Sequence, residues 1–333
     1  MSRGLIAVTG VGGTAGYSLA QRLHEDGYDV LGLDADSWSP GFVHAQRSRL
    51  IPTSDAPDFV PALRDTCREA RADALISTVE SELLELARKP DTFDETGTRA
   101  WIPDAEYLRL CLDKLAFYEF LSARGFRVPH TASLDGEQST PDLPGGCDLI
   151  VKPRFGRGAK DTFRCRNLAQ ARSLGRAIPG LIVQPRIEGD EFTADCLVDR
   201  AGRASIVLRI RRRTKAGVSV VSETIHHDGA ARTIAAVLDT LGASGVCNVQ
   251  GFLGADSGIH LTEVNPRFAG GFPLSERAGA QLTAQYLNGL FRLPVDHRAL
   301  AYRTGVIMRR YFTNDFEEKP LNNANWVRQE EPV

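Results

Sequence analysis

The sequence lacks any apolar run approaching the roughly 20 residues that a membrane-spanning helix needs, so no membrane segment is expected. It also lacks a charge imbalance: 40 Lys and Arg against 42 Asp and Glu leave a formal charge of −2. No global basic field is there to draw nucleic acid or anionic lipid. Its six cysteines (Cys67, Cys111, Cys147, Cys165, Cys196, Cys247) form no C-x-x-C pair and no histidine cluster accompanies them. Zinc sites and a small disulfide scaffold are not expected, and reduced thiols in a cytoplasmic protein are the simplest reading. Repeats and low-complexity tracts are absent. The early apolar stretch Leu5-Ile6-Ala7-Val8 is too short for a signal peptide's apolar region, and reads as a first buried strand.

What is present is an ordinary globular balance, 42% hydrophobic and 25% charged over 333 residues, enough for two or three packed units. The first hundred residues alternate strand and helix. Leu5–Thr9 is a strand, and the turn Gly10–Gly13 opens a helix that runs to about Asp26. Tyr28–Leu33 is a strand ending at Asp34, a helix spans about Pro57–Ala70, and Ala74–Val79 is the third clear strand. Such alternation implies a doubly wound parallel sheet, with its ligand-facing edge at the strands' carboxyl ends near Gly10–Gly13, Asp34 and Glu80. A helix over Asp113–Arg124 and a Pro/Gly-rich connection, Thr131–Cys147, come next. Strands then dominate: Leu149–Lys152, Leu181–Gln184, Phe192–Val198, Ser205–Arg211, Val246–Leu253 and Ile259–Val264. Hairpin turns fall at Gly202 and Asp256-Ser257-Gly258, predicting an α+β second half built on antiparallel sheets. Thr313–Val333 reads as a polar tail.

Gly10-Val11-Gly12-Gly13-Thr14-Ala15 fits G-x-G-x-x-A between strand and helix, with Asp34 placed for a ribose. Three readings stay open at this turn: an NAD(P) site, a substrate anion site at a helix N-terminus, or glycines that only permit a tight turn.

Four later segments suit a phosphate and magnesium site. Asp113-Lys114 opens a helix. Lys152 ends a strand and is followed by Gly156-Arg157-Gly158, where backbone N–H groups can approach phosphate oxygens. The strand Leu181–Gln184 leads through Pro185, Arg186 and Ile187, whose backbone can pair with an adenine edge, to Glu191, a candidate acceptor for ribose hydroxyls. Glu263 and Asn265 share a strand face, and Gln250 can join them from the paired strand. One carboxylate and two amide oxygens are hard ligands for Mg²⁺. Arg267, Gly270 and Gly271 follow directly.

With these residues in order, the chain resembles the ATP-grasp superfamily, in the branch like the large subunit of carbamoyl phosphate synthetase and amino-acid ligases. The likeness covers nearly the whole chain. It implies an N-terminal Rossmann-like domain at 1–104, a small lobe with connecting helices at 105–183, a large lobe with the metal site at 184–312, and the tail at 313–333. It implies that Lys114 and Lys152 touch ATP phosphates, that Gly156, Arg157 and Gly158 form the phosphate loop, and that Gln184, Pro185, Arg186 and Ile187 bind adenine. By the same likeness Glu191 holds the ribose, Gln250, Glu263 and Asn265 hold Mg²⁺ (with Mn²⁺ able to substitute), and Arg267 steadies the transferring phosphate. The loop reads Gly-Arg-Gly-Ala-Lys where many relatives carry serines or more glycines, so Arg157 or Lys160 can supply charge there.

The implied chemistry is in-line attack of a carboxylate oxygen on the γ-phosphate, then attack of an amine on the acyl phosphate. Gly270 and Gly271 are candidates for the oxyanion. Arg209 and Arg211, on one strand face, are candidates to grip a substrate carboxylate. Glu80 either binds a substrate ammonium or only begins a helix, and His226-His227 reads as surface. Small-molecule carboxylate and amine substrates are expected, an amino acid among them, with no nucleic-acid or membrane partner and with a homodimer possible. The rivals are an NAD(P)-dependent oxidoreductase using the glycine turn, which leaves Lys152, Glu263 and Asn265 unexplained, and a non-catalytic nucleotide-binding protein.

Overall fold

A computed structural model describes residues 2–89, 92–93, 96–135, 143, 148–156, 161–215, 217–254, 258–311 and 313–316. Arg157, Gly158 and Lys160 of the expected phosphate loop, Asp256-Ser257, and most of the 313–333 tail lie outside the described residues.

Strands Leu5–Thr9 (β1), Asp29–Asp34 (β2), Arg47–Leu50 (β3), Ala74–Ser77 (β4) and Arg99–Ala100 (β5) form a parallel sheet in the order β3-β2-β1-β4-β5. Successive residues of β1 go to opposite faces. Ile6 and Val8 pack with Leu19 and Leu23 of helix Thr14–Glu25 (α1), whereas Leu5 and Ala7 pack with Phe59 and Leu63 of helix Phe59–Ala70 (α2). Both faces are covered, so β1 must be apolar throughout, and it is fully buried. Glu80–Ala87 (α3) follows β4. The sequence reading missed β3. Its four residues are all exposed at the sheet edge, so they carry no apolar pattern, and Arg47 and Arg49 put charge on that edge.

After helices Ala105–Leu112 (α4) and Lys114–Ser122 (α5), a four-stranded antiparallel sheet forms from Ala132–Ser133 (β6), Leu149–Pro153 (β7), Phe163–Cys165 (β8) and Leu181–Pro185 (β9). Its order is β6-β9-β7-β8, and helix Leu168–Ala177 (α6) packs on it. A six-stranded antiparallel sheet follows from Gly189–Val198 (β10), Ala204–Lys215 (β11), Val218–Thr224 (β12), Gly245–Gly254 (β13), Ile259–Asn265 (β14) and Ile307–Arg309 (β15). Its order is β14-β13-β10-β11-β12-β15. Helix Asp228–Thr240 (α7) covers one face; Pro273–Arg277 (α8) and Leu282–Leu290 (α9) return to the first sheet. The expected hairpin at Gly202 is present: Gly202 has φ +85°, and Asp199 N–H donates to Arg203 O at 3.0 Å. An α/β first unit and an α+β remainder are the architecture the strand and helix periods implied. Among the described residues, no helix is long and apolar enough to cross a membrane.

One apolar cluster joins the first sheet to the C-terminal helices: Ile6, Val8 and Val11 pack with Phe268, Phe272, Leu282 and Tyr286. Trp101 closes it. Its ring stacks on Tyr286 at 5.5 Å, its Nε1 donates to Ser244 Oγ at 3.0 Å, and the Arg200 guanidinium lies 4.7 Å from its centroid. Trp101→Ala is expected to cost about 3–5 kcal/mol, the usual range for a buried tryptophan. Urea denaturation checks this, and a loss under about 1 kcal/mol would show that the cluster does not tie the units together.

Candidate active site

The six-stranded sheet has two chemically distinct faces because strand side chains alternate. Phe192, Ala194, Cys196, Leu208, Ile210, Cys247, Val249 and Val264 face the helices and form a buried core. At intervening positions Thr193, Arg209, Arg211, Asn248, Gln250, Glu263 and Asn265 line a pocket of about 530 Å³. Register places Gln250 opposite Glu263, and Asn248 opposite Asn265, on β13 and β14. Thr193 and Asp195 on β10 stand beside Gln250 and Asn248, and Arg209 on β11 lies opposite Thr193. Asn265 Nδ2 donates to Asn248 Oδ1 at 3.2 Å and to Glu263 Oε1 at 3.3 Å, which locks its amide. Asn248 in turn donates to Arg267 O at 3.1 Å, fixing the chain as it leaves β14.

The lysines come from the opposite wall. On β7, Val151 is buried while Ile150 and Lys152 line the pocket. Lys114 is the first residue of α5, whose N-cap Asp113 accepts from Leu115 and Ala116 N–H. Asp113 also takes a bidentate pair from Arg154 at 2.7 and 2.6 Å, clamping the helix start to the end of β7. Lys114 Nζ consequently reaches Gly156 O at 2.7 Å. Burial lowers the pKa of both lysines. For Lys152 the nearby Lys114 adds to this and Glu263 opposes it.

Arginines occupy the sheet floor. Arg211 donates to Glu191 at 2.5 Å, to Gln250 Oε1 at 3.3 Å and to Gly217 O at 2.5 Å. Burial raises the Glu191 pKa, and Glu263 adds to that, while Arg211 partly offsets it. Arg209 is 2% exposed and bonds Asp195 through Nε and Nη2 at 3.0 and 3.2 Å, while Ser275 Oγ donates to Asp195 at 2.6 Å. Both arginines expected to grip a substrate carboxylate are thus paired with protein carboxylates in the pocket lining. Glu80, expected at a substrate ammonium or at a helix start, does begin α3, and its carboxylate pairs with Arg267 Nη2 at 2.7 Å.

The two glycines expected at an oxyanion line the pocket in close packing. A Cβ on Gly270 would lie 2.2 Å from Thr14 Oγ1, and one on Gly271 would lie 2.6 Å from Arg209 Nη1. Thr14, at the start of α1, lines the same pocket, which brings the glycine-rich turn to its rim. Within that turn Asp34 accepts from Gly12 N–H at 2.7 Å. Gln184, 5% exposed, donates to Thr131 Oγ1 at 2.7 Å; Pro185, Arg186 and Ile187 continue from it along the pocket edge. His227 caps α7, accepting from Ala230 N–H at 3.1 Å, and His226 is exposed, as a surface role requires.

Every described residue of the expected nucleotide and metal set therefore lines one pocket: Lys114, Lys152, Gly156, Gln184, Pro185, Arg186, Ile187, Glu191, Gln250, Glu263 and Asn265. Arg209, Arg211, Arg267, Gly270 and Gly271 line it too. Glu80 stands behind Arg267. Sequence reasoning passed over Asn248, Asp195, Thr14, Arg154 and Arg310. The first two stood in plain view as polar residues at alternate positions of otherwise apolar strands.

Comparison with known proteins agrees with this geometry. A family model described as ATP-grasp in the biosynthetic pathway with Ter operon matches residues 177–311, and one for the PylC-like N-terminal domain matches residues 6–101. The formate-dependent phosphoribosylglycinamide formyltransferase of Thioalkalivibrio sulfidiphilus is 27% identical over 280 residues, 77% of this chain and 68% of that protein. The ADP complex of N5-carboxyaminoimidazole synthetase from Staphylococcus aureus superposes with a TM-score of 0.71 at 17% identity, over 89% of this chain and 79% of that one. An L-amino acid ligase from Bacillus licheniformis superposes with a TM-score of 0.68 at 16% identity, over 87% and 75%. Residues 177–311 are thus similar to an ATP-grasp family and residues 6–101 to the PylC-like N-terminal domain.

The lowered lysine pKa values carry a stability consequence. Below the ordinary value of 10.5, the unfolded chain binds more protons at these two sites than the folded one. Stability should thus rise with pH through the alkaline window beneath that value. Lys152→Met is expected to raise the urea midpoint of the ligand-free protein at neutral pH, by a margin that shrinks as pH approaches 10.5. The same variant should lose the stabilisation that ADP·Mg²⁺ gives. An unchanged midpoint, or a retained ADP·Mg²⁺ response, would count against a strained phosphate-binding lysine.

Proposed function

We propose that the chain binds ATP between the four-stranded and six-stranded sheets and uses it to join a carboxylate, an amino acid in this reading, to an amine. The observation that carries the proposal is the meeting of Lys114 and Lys152 with Gln250, Glu263 and Asn265 across one pocket, with Arg267 at its inner end. On this reading residues 105–183 and 184–312 act as the two lobes, and 1–104 supplies a wall at Thr14.

Two lysines whose own burial disfavours their charge are suited to oxygens of a polyphosphate, which restore it. Gln184 through Ile187 take the adenine and Glu191 the ribose, with Arg211 holding the carboxylate in place. The donor set fits a hard divalent cation. Glu263 offers a carboxylate, Gln250 an amide oxygen, and the locked Asn265 amide keeps its nitrogen on Asn248 and Glu263, so its oxygen is free to turn away from them. Mg²⁺ held there, or Mn²⁺ in its place, supplies charge neutralisation to the phosphate oxygens.

A carboxylate oxygen attacks the γ-phosphorus, the bond to the β–γ bridging oxygen breaks, and ADP leaves. The amine nitrogen then attacks the acyl carbon, the C–O bond to phosphate breaks, and phosphate departs with the amide formed; the amine proton passes to phosphate or solvent. Arg267, oriented by Glu80, stands where the transferring phosphoryl group needs a fixed positive charge. No covalent protein nucleophile is needed. ATP and free amino acids as substrates fit a cytoplasmic setting, and a homodimer is compatible with this use of the pocket.

ADP release measured over pairs of carboxylates and amines, with mass spectrometry of the products, tests the reading. ADP should appear with a joined product and in equal amount. Glu263→Gln should lower that rate by roughly a hundredfold or more, the scale of several kcal/mol of charge stabilisation, with melting behaviour unchanged. Near-normal turnover in that variant would overturn the metal assignment.

A further inference from the structure

Among the described residues five arginines line the pocket: Arg186, Arg209, Arg211, Arg267 and Arg310. Four of them end on a carboxylate of the protein: Arg186 on Glu188, Arg209 on Asp195, Arg211 on Glu191 and Arg267 on Glu80. Arg310 has no carboxylate partner among the described residues. Its guanidinium Nη2 donates to the Gly270 carbonyl, and its backbone N–H to Val220 O at 2.8 Å anchors it just past β15. Gly270 is pressed against Thr14, and Gly271 against the Nη1 edge of Arg209. Arg310, Arg209, Thr14 and the two glycines thus close one end of the pocket. Burial, reinforced by the neighbouring Arg209 cation, pulls the Arg310 pKa below the usual guanidinium value, so the charge there is held against opposition.

We infer that Arg310 and the Thr14–Gly270 wall form a subsite for an anionic group on the amine substrate, a carboxylate or a phosphate monoester that takes no part in the reaction. A guanidinium held partly out of water by burial and left without a counter-charge gains a charge-assisted hydrogen bond when such a group arrives. Arg267 and the lysines lie with the reacting phosphate, whereas Arg310 meets the substrate alone, and so it selects the amine rather than driving the transfer. The inference rests on the ligase reading of the same pocket.

The test compares amines that differ only in that group: free amino acids, the corresponding amino-acid amides, aminoalkyl phosphates and the matching amino alcohols. ADP release is followed with wild type, Arg310→Gln and Arg310→Lys. The melting shift given by ADP·Mg²⁺ is measured first. Its absence in wild type would defeat the nucleotide reading itself, and its presence in Arg310→Gln shows a folded variant. The subsite is supported if only anionic amines stimulate ADP release and if Arg310→Gln raises their KM roughly tenfold or more, a loss matching one charge-assisted contact, with smaller change in kcat. Arg310→Lys should recover part of that loss. Whether amino acids or aminoalkyl phosphates respond identifies the group. The inference is overturned if amides or amino alcohols stimulate as well as their anionic counterparts, if KM is indifferent to Arg310→Gln, or if ADP·Mg²⁺ binds yet no anionic amine stimulates.

Discussion

The structure depends first on the alternation of side chains along β10, β11, β13 and β14. A strand sends successive residues to opposite faces, so a sheet covered by helices on one side can carry polar chemistry on the other. Here the apolar set packs under α7, and the complementary set places Asn248, Gln250, Glu263 and Asn265 on one surface. A one-residue slip between β13 and β14 would bury the carboxylate and expose the core. The site and the core are two readings of one register.

The second constraint is charge. Among the described residues seven cationic side chains, two lysines and five arginines, line one pocket together with Glu191 and Glu263. The fold manages this by tying most of the arginines to fixed carboxylates, while the two lysines are left with charge that burial disfavours. Uncompensated groups of this kind cost stability in the empty protein and become favourable only when anions arrive. Where compensation is missing, the pocket states what it is built to receive.

The N-terminal sheet reaches the pocket through packing. Phe268 and Phe272 insert into the cluster around Ile6 and Val8, and this brings Gly270 against Thr14. The glycine-rich turn becomes part of the pocket rim, and Asp34 is turned onto the backbone of Gly12. A motif whose local sequence allowed three readings is constrained by a neighbour more than two hundred residues away in the chain.

The alternating strands and helices of the first hundred residues, the hairpin period of the second half and the Glu263–Asn265 pair were legible in the sequence because they follow from local periodicity. The edge strand at Arg47–Leu50 was not, since an exposed strand needs no apolar pattern. Nor were the partners of the arginines. Arg209, Arg211 and Arg267 look alike in sequence, and only the folded chain decides that each meets Asp195, Glu191 or Glu80 while Arg310 meets a carbonyl. Which side chains share a face is set by covalent geometry over a few residues and can be read from the chain alone. Which charges neutralise one another depends on contacts between distant segments, and these exist only once the sheets have closed around the pocket.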